Sequence, residues 1–188
     1  MRKLIAQIHI SLDGIAAVPS GDLSWIHVDE EIFDDTAILT SQADAAIYGR
    51  VTHEIMEAYW PTAPNQPSAT KHDKEHGAWY ATVEKYVISN TLREVKAKTT
   101  VISGDIASQV AAIKSLPGKN IVLFGSPSTA QALLRMNLVD ELCLLVNPIL
   151  MGEGLHYFKD GNDQKRLRLV DSRVYTSGVA KLNYQVLK

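Results

Sequence analysis

A single cysteine, Cys143, stands among 188 residues, so neither an internal disulfide nor a cysteine-rich zinc site can form. Charge of one sign is also missing. Lys+Arg 19 against Asp+Glu 21 leaves a formal net charge of −2, with no basic excess to neutralise a phosphate backbone, which argues against a nucleic-acid binder. No apolar run approaches the roughly 20 residues that cross a bilayer. The basic start Met1-Arg2-Lys3-Leu4 leads into an apolar run broken at Gln7 and His9. No signal-peptide cleavage pattern follows, and a cytoplasmic location is expected. The glycine fingerprint of ordinary dinucleotide sites is lacking too: Gly152-Glu153-Gly154 is followed by Tyr157 where the third glycine should stand, and no helix pattern follows it.

What the chain does have is apolar patterning. Hydrophobic residues make up 46% of it, and its length suits one domain over 1–188, at roughly 100–200 residues per domain. Leu4 to Ile10 alternates with Leu4, Ala6, Ile8 and Ile10 on one face, the period of a strand. Asp29 to Gln42 carries Ile32, Phe33, Thr36, Ala37 and Thr40 at helical spacing. Ala45 to Tyr48 reads as a short strand, and Thr52 to Tyr59 as a short helix with Ile55 and Met56 inward. Lys85 to Ser89 and Thr99 to Ile102 follow as strands. Ile106, Val110, Ile113 and Leu116 mark an amphipathic helix with Asp105 as its N-cap. Asn120 to Phe124 is a strand and Ser126 to Met136 a helix. Glu141 to Val146 leaves no polar side and reads as a strand covered on both faces. Two alternating segments, Arg166 to Thr176 and Val179 to Leu187, meet around Ser177-Gly178 as a hairpin. Pro61 to Lys71 reads as the one long irregular stretch. Strand, helix, strand alternation implies a parallel α/β sheet with crossover helices, to which the terminal hairpin adds antiparallel strands.

In such a sheet a ligand belongs at the carboxyl ends of the strands. Three strand ends carry suitable residues. At Tyr48-Gly49-Arg50-Val51-Thr52 the glycine permits a sharp turn into a helix whose first N–H groups favour an anion; Arg50 adds a forked donor set and Thr52 a hydroxyl. At Phe124-Gly125-Ser126-Pro127-Ser128, Ser126 reads as an N-cap and Pro127 as the first helical residue, a second anion site or a plain well-capped helix. Ser89-Asn90-Thr91 is by itself a turn. Two phosphate-ready helix starts suit a dinucleotide. His72 and His76 stand i, i+4 on a charged stretch that reads as solvated, with no third metal ligand. Cys143 reads as an inert core thiol, and Trp25, Trp60 and Trp79 as packing residues.

Ser11-Leu12-Asp13-Gly14, Gly49-Arg50-Val51-Thr52, Ser89-Asn90-Thr91-Leu92, Gly125-Ser126, Leu138 to Leu142 and Pro148 to Gly154 occur in an order that resembles the dihydrofolate reductase-like superfamily. Within it the chain is most similar to the reductase domain of the riboflavin-biosynthesis deaminase/reductase and its stand-alone bacterial relatives, from about Lys3 to Lys188. The resemblance implies a three-layer fold with a mixed, mostly parallel sheet of about eight strands, flanking helices and a C-terminal antiparallel hairpin. It implies NADPH as cofactor. Gly49, Arg50 and Thr52 would hold its phosphate end, Ser89 and Asn90 would lie near the adenosine 2′-phosphate, and Gly125, Ser126 and Ser128 would lie along the pyrophosphate. The Asp13-Gly14 loop would cover the nicotinamide. Two departures are visible: Gly125-Ser126 replaces a glycine pair, and Asn90 stands where a basic residue is common. The zinc deaminase motif needs two cysteines together, so deamination is expected from another protein.

The implied activity is hydride transfer to a small heterocyclic substrate, most like 5-amino-6-(5-phosphoribosylamino)uracil, with a proton from Asp13, Asp29 or Glu153. A substrate phosphate would want a further cation, for which Lys71 and Lys159 are the candidates. A dihydrofolate, pterin or small-carbonyl reductase is the alternative, as is a catalytically silent dinucleotide binder. Relatives of this kind are usually homodimers; no nucleic acid, membrane or metal is expected.

Overall fold

The computed structural model describes residues 1–158 and 164–187; Lys159 lies outside them. Among the described residues, ten strands and five α-helices follow one another. They are β1 (Leu4–Ser11), β2 (Ile15–Ala17), α1 (Glu30–Ser41), β3 (Ala43–Gly49), α2 (Arg50–Tyr59), α3 (Lys71–Thr82), β4 (Glu84–Ile88) and β5 (Thr99–Ile102). Then come α4 (Ile106–Ser115), β6 (Asn120–Phe124), α5 (Pro127–Arg135), β7 (Glu141–Asn147), β8 (Leu155–His156), β9 (Leu167–Val174) and β10 (Ala180–Val186). Eight strands form one sheet in the order β5-β4-β3-β6-β1-β7-β10-β9, and β2 pairs with β8 in a small second sheet. The pairs β1/β7, β3/β4 and β4/β5 are parallel, whereas β7/β10 and β10/β9 are antiparallel. The mixed, mostly parallel sheet and terminal hairpin match the expectation from alternation and from the resemblance.

The chain forms two compact units. One comprises Met1–Arg2 with Asp29–Val122; the other combines Lys3–Val28 with the described residues from Leu123 onward. In the first unit, β3 buries Ala45, Ala46, Ile47 and Tyr48 almost completely, as a strand covered on both faces must. Arg2 is a buried cation whose guanidinium pairs with Asp44 and donates to the Lys119 carbonyl, so its charge is matched rather than stranded.

Two sequence readings need correction in this unit. Residues 71–82, whose first six read as a solvated charged stretch, form α3, started by a capping box in which Thr70 and Asp73 each bond the other's backbone. His76 on this helix is buried between Trp60 and Trp79, with ring centroids 4.1 and 5.1 Å away. On α2, Ile55 is 49% exposed, and the residue turned inward is His53. The helix sets a polar ring, not an aliphatic stripe, against the sheet.

In the second unit, β1 and β7 run side by side with Ser11 opposite Asn147 at their carboxyl ends. β7 is buried at five of its seven positions, and Cys143 is part of that core. Each fully buried Leu or Ile contributes about 1.5–3 kcal/mol relative to exposure, which makes β1 and β7 the rigid floor of this unit. The loops leaving that floor are the ones that carry polar side chains.

Candidate functional site

Helix caps separate the five helices into two groups. Asp29 caps α1, Thr70 caps α3 and Asp105 caps α4, each accepting a hydrogen bond from the first turn. α2 and α5 have no side-chain cap bond and no acidic residue in the first turn. Their opening amides therefore keep the positive end of the helix dipole unneutralised by a capping side chain, the condition for holding a phosphate there. The sequence singled out these same two helix starts.

The two openings differ in construction. At α2 the N-cap is Gly49 in extended conformation, which brings no side chain toward the first turn. Arg50 follows, and its Nη1 donates to both carboxylate oxygens of Glu54 at 2.8 and 2.9 Å. That exposed i, i+4 pair is worth about 0.3–0.5 kcal/mol, so a phosphate can compete for the guanidinium at small cost. Thr52 is half-buried in the first turn. At α5, Ser126 occupies the N-cap position in the left-handed region, φ 48° and ψ 60°, after Gly125 at φ 53°. Ser126 was expected to cap with its hydroxyl; it does not. A left-handed serine costs about 1–2 kcal/mol, and two successive residues of this kind bend the backbone before the helix. Pro127 stands in the first helical turn as expected, and Ser128 is exposed.

The loop after β1 is pinned by one carboxylate. Asp13 accepts from the Ser11 hydroxyl at 2.5 Å and from the backbone N–H groups of Met151 and Gly152 at 3.2 and 2.8 Å. These donors hold it well below the ordinary carboxylate value, at about 2. These bonds favour the carboxylate form of Asp13, which clamps the loop. Gly14, at φ 81°, completes the turn, and its carbonyl accepts from Tyr157 N–H at 2.8 Å. Asp29, the second candidate acid, is engaged as the cap of α1, with its Oδ1 2.9 Å from the Ile32 N–H. Glu153 is exposed and follows Gly152 directly. The structure therefore brings Asp13, Gly14 and Glu153 to one loop junction of the second unit. Asp29, Gly49, Arg50, Thr52, Ser89 and Asn90 belong to the first unit. Ser89 turns the chain after β4, its hydroxyl accepting from the N–H groups of Thr91 and Leu92; Asn90 is exposed.

Asn147, fully buried at the end of β7, was not singled out for function. Its Nδ2 donates to the carbonyls of Ile10 and Leu145 and lies 3.3 Å from His9 Nδ1, while its Oδ1 accepts from His27 N–H at 2.9 Å. One side chain thus ties β1, β7 and the segment before α1. Burial drives His9 down to about 4, so the ring is neutral and Nδ1 can accept from the amide. A polar residue closing an all-apolar strand was the available signal. Gln131 on α5 plays a similar part, donating to the carbonyls of His156 and Tyr157. In the first unit, Glu57 accepts from Tyr80 OH at 2.7 Å and pairs with Lys96 at 2.9 Å, beside buried Tyr48 and His53. Among the described residues no cluster of His, Cys, Asp and Glu could hold a metal ion. No helix there is long and apolar enough to cross a membrane.

A mixed, mostly parallel eight-stranded sheet with flanking helices and a C-terminal hairpin, carrying helix starts without a capping side chain after β3 and β6, defines an α/β protein. The family model of the RibD C-terminal domain matches residues 2–181, and the chain belongs to that family. It is 30% identical over 184 residues to the uncharacterized protein YyaP of Bacillus subtilis, covering 97% of this chain and 94% of that protein. Its fold resembles that of a pyrimidine reductase-like protein from Corynebacterium diphtheriae, with TM-score 0.72 and 17% identity over 100% of this chain and 92% of the other. It also resembles a diaminohydroxyphosphoribosylaminopyrimidine deaminase/5-amino-6-(5-phosphoribosylamino)uracil reductase from Thermotoga maritima. There the TM-score is 0.67 at 12% identity, over 99% of this chain and 57% of the other.

Proposed function

We propose that the chain, acting as one reductase domain, uses NADPH to reduce a small heterocyclic substrate of the 5-amino-6-(5-phosphoribosylamino)uracil class. The observation that carries this reading is the cap pattern. Among the α-helices of the described residues, α2 and α5 alone lack a capping side chain, and both carry residues on which the family resemblance rests. That donor chemistry suits the phosphates of a dinucleotide. Membership in the RibD C-terminal domain family supports the reductase class.

When bound, NADPH supplies hydride from the nicotinamide C4. Gly49, Arg50 and Thr52 would hold one phosphate region, with Ser89 and Asn90 toward the adenosine. Gly125, Ser126 and Ser128 would line the pyrophosphate. Arg50 leaves Glu54 to do this. Asp13 keeps the Gly14 turn fixed against Met151 and Gly152, so the loop that covers the reacting ring is held in place before substrate arrives. Of the three acids considered, Asp13 is committed as a carboxylate and Asp29 as a helix cap. We assign to Glu153, exposed beside Gly152, the relay of a proton from solvent to the reduced substrate.

Titrating the protein with NADPH, followed through quenching of its tryptophans, tests the reading. Arg50→Ala is expected to weaken NADPH several-fold and NADH binding in step with it. Unchanged affinity would remove the Gly49–Thr52 anchor, and absence of any NADPH binding by the wild-type protein would end the reductase proposal.

A further inference from the structure

β4 and β5 are parallel, so the chain between them must cross from the carboxyl end of one strand to the amino end of the next. Such a crossover is usually a helix, whose internal hydrogen bonds fix its course. Residues 89–98 make it with neither helix nor strand, and it therefore lies where its contacts put it. Ser89 holds the start: its N–H donates to the Ile102 carbonyl at 3.1 Å, and its hydroxyl accepts from the Thr91 and Leu92 amides. Lys98 holds the end, its carbonyl accepting from Lys85 N–H at 2.8 Å and its Nζ donating to the Thr82 carbonyl at 3.0 Å. The residues from Arg93 to Ala97 in between are all exposed. Among the described residues, the ion pair that ties them to the unit is Lys96 Nζ with Glu57 Oε2, 2.9 Å apart.

This is not an ordinary surface pair. The Lys96 side chain is 70% exposed, but that of Glu57 only 15%. Glu57 stands on α2, and its Oε1 accepts from the Tyr80 hydroxyl of α3 at 2.7 Å. Tyr80 is itself buried, with its carbonyl 2.9 Å from Lys85 Nζ. One carboxylate oxygen is thus committed to α3 and the other faces the crossover. A carboxylate already fixed on one side loses little further freedom on pairing, and one largely withdrawn from water depends on its cation.

The pair also spans a useful distance. Gly49 stands opposite Ile88 in the parallel β3/β4 register, so α2 and the crossover leave the sheet side by side, from strands about 4.8 Å apart. Glu57 lies about 12 Å farther along α2 than Gly49, at about 1.5 Å per residue. A crossover beginning beside the first turn of α2 and tied to its last turn is held along the helix.

We propose that Glu57 is a positioning residue for cofactor choice: through Lys96 it latches the β4–β5 crossover onto α2, so that Ser89 and Asn90 stand ready for the adenosine 2′-phosphate, the group that separates NADPH from NADH. The inference rests on the NADPH reading above. It gives a physical role to the crossover in a chain where Asn90 replaces a basic residue: selectivity comes from donors ordered in advance, which spares the cofactor the cost of ordering them.

The test compares NADPH and NADH affinities, read by tryptophan quenching, in the wild type, Glu57→Gln, Lys96→Met and Lys96→Arg. Far-ultraviolet circular dichroism verifies folding, and amide hydrogen exchange at Thr91 and Leu92 reports the latch without any cofactor. Glu57→Gln keeps an acceptor for Tyr80 and removes the charge that holds Lys96. Glu57→Gln and Lys96→Met are each expected to weaken NADPH several-fold, to leave NADH unchanged and to speed exchange at both amides. Lys96→Arg keeps the pair and is expected to keep the wild-type preference. This pattern differs from that of Arg50→Ala, which weakens both cofactors in step. An unchanged NADPH-to-NADH preference in folded Glu57→Gln would overturn the proposal, as would wild-type exchange rates at Thr91 and Leu92. Tighter NADPH binding by Glu57→Gln would also overturn it, because Lys96 would then be a phosphate ligand that Glu57 withholds. A wild-type protein that binds no NADPH would end the reductase reading and the cofactor role together, a failure that the exchange rates distinguish from failure of the latch itself.

Discussion

Asp13 shows what a single residue contributes and how far the sequence reveals it. The sequence marked it as chemically important, but as an acid that gives up a proton. Its actual partners, the amides of Met151 and Gly152, lie 138 and 139 residues away along the chain, and no local pattern announces that convergence. Asp13→Ala is expected to speed amide hydrogen exchange at Met151 and Gly152 while leaving that of β7 unchanged. Exchange rates equal to wild type at those two amides would show that the clamp holds nothing. The pH dependence has a definite sign. The carboxyl is depressed from 3.8 to about 2 in the folded protein, so its contribution is complete above 3.8 and is lost as pH falls through about 2. Asn147 presents the same difficulty of legibility. Its place at the end of an apolar strand is visible in the sequence, but its four partners come from both ends of the unit.

Elements were legible where apolar residues keep a period and illegible where polar residues do the packing. Strands β1, β6 and β7 and helices α1, α4 and α5 follow the alternation or helical spacing of their side chains. α3 does not, because Lys71-His72-Asp73-Lys74-Glu75-His76 looks solvated and Gly77 looks like a breaker; the Thr70–Asp73 box was the overlooked start signal. Gly77 is there for space. A Cβ at that position would come within 2.9 Å of Pro64 Cδ and crowd Pro64 Cγ further. Gly77→Ala would gain about 1 kcal/mol of helix propensity but cost about 1–3 kcal/mol in overpacking. The expected result is a lower melting temperature. A higher one would mean that Pro64 does not press on α3. His76 on the same helix is depressed from 6.5 to about 3 by burial and by neighbouring His72. Its neutral state is therefore favoured in the fold, stability is complete above 6.5, and it declines as pH falls toward 3. His76→Phe, which keeps the contacts with Trp60 and Trp79, is expected to flatten the fall of melting temperature over that window. A slope equal to wild type would assign the acid sensitivity elsewhere, His9 being the next candidate because it titrates at about 4.

For the whole molecule, the α/β class, the mixed sheet and the terminal hairpin could be read from alternation, whereas strand order could not, since pairing is set by contacts between distant segments. The candidate site was legible to a similar degree. Glycine and proline placement pointed to the starts of α2 and α5, but the distinction between capped and uncapped helices needed coordinates. Ser126, whose residue type says cap, lies in a conformation that leaves its hydroxyl off the helix. The central claim is reduction by NADPH, and it is tested most directly by single-turnover oxidation of NADPH with 5-amino-6-(5-phosphoribosylamino)uracil and, separately, with dihydrofolate. Oxidation stoichiometric with the aminated ribosyl-pyrimidine, reduced several-fold in Arg50→Ala at limiting cofactor and slowed in Glu153→Gln at saturating cofactor, is the result expected. NADPH that binds but is oxidised by neither compound would contradict it.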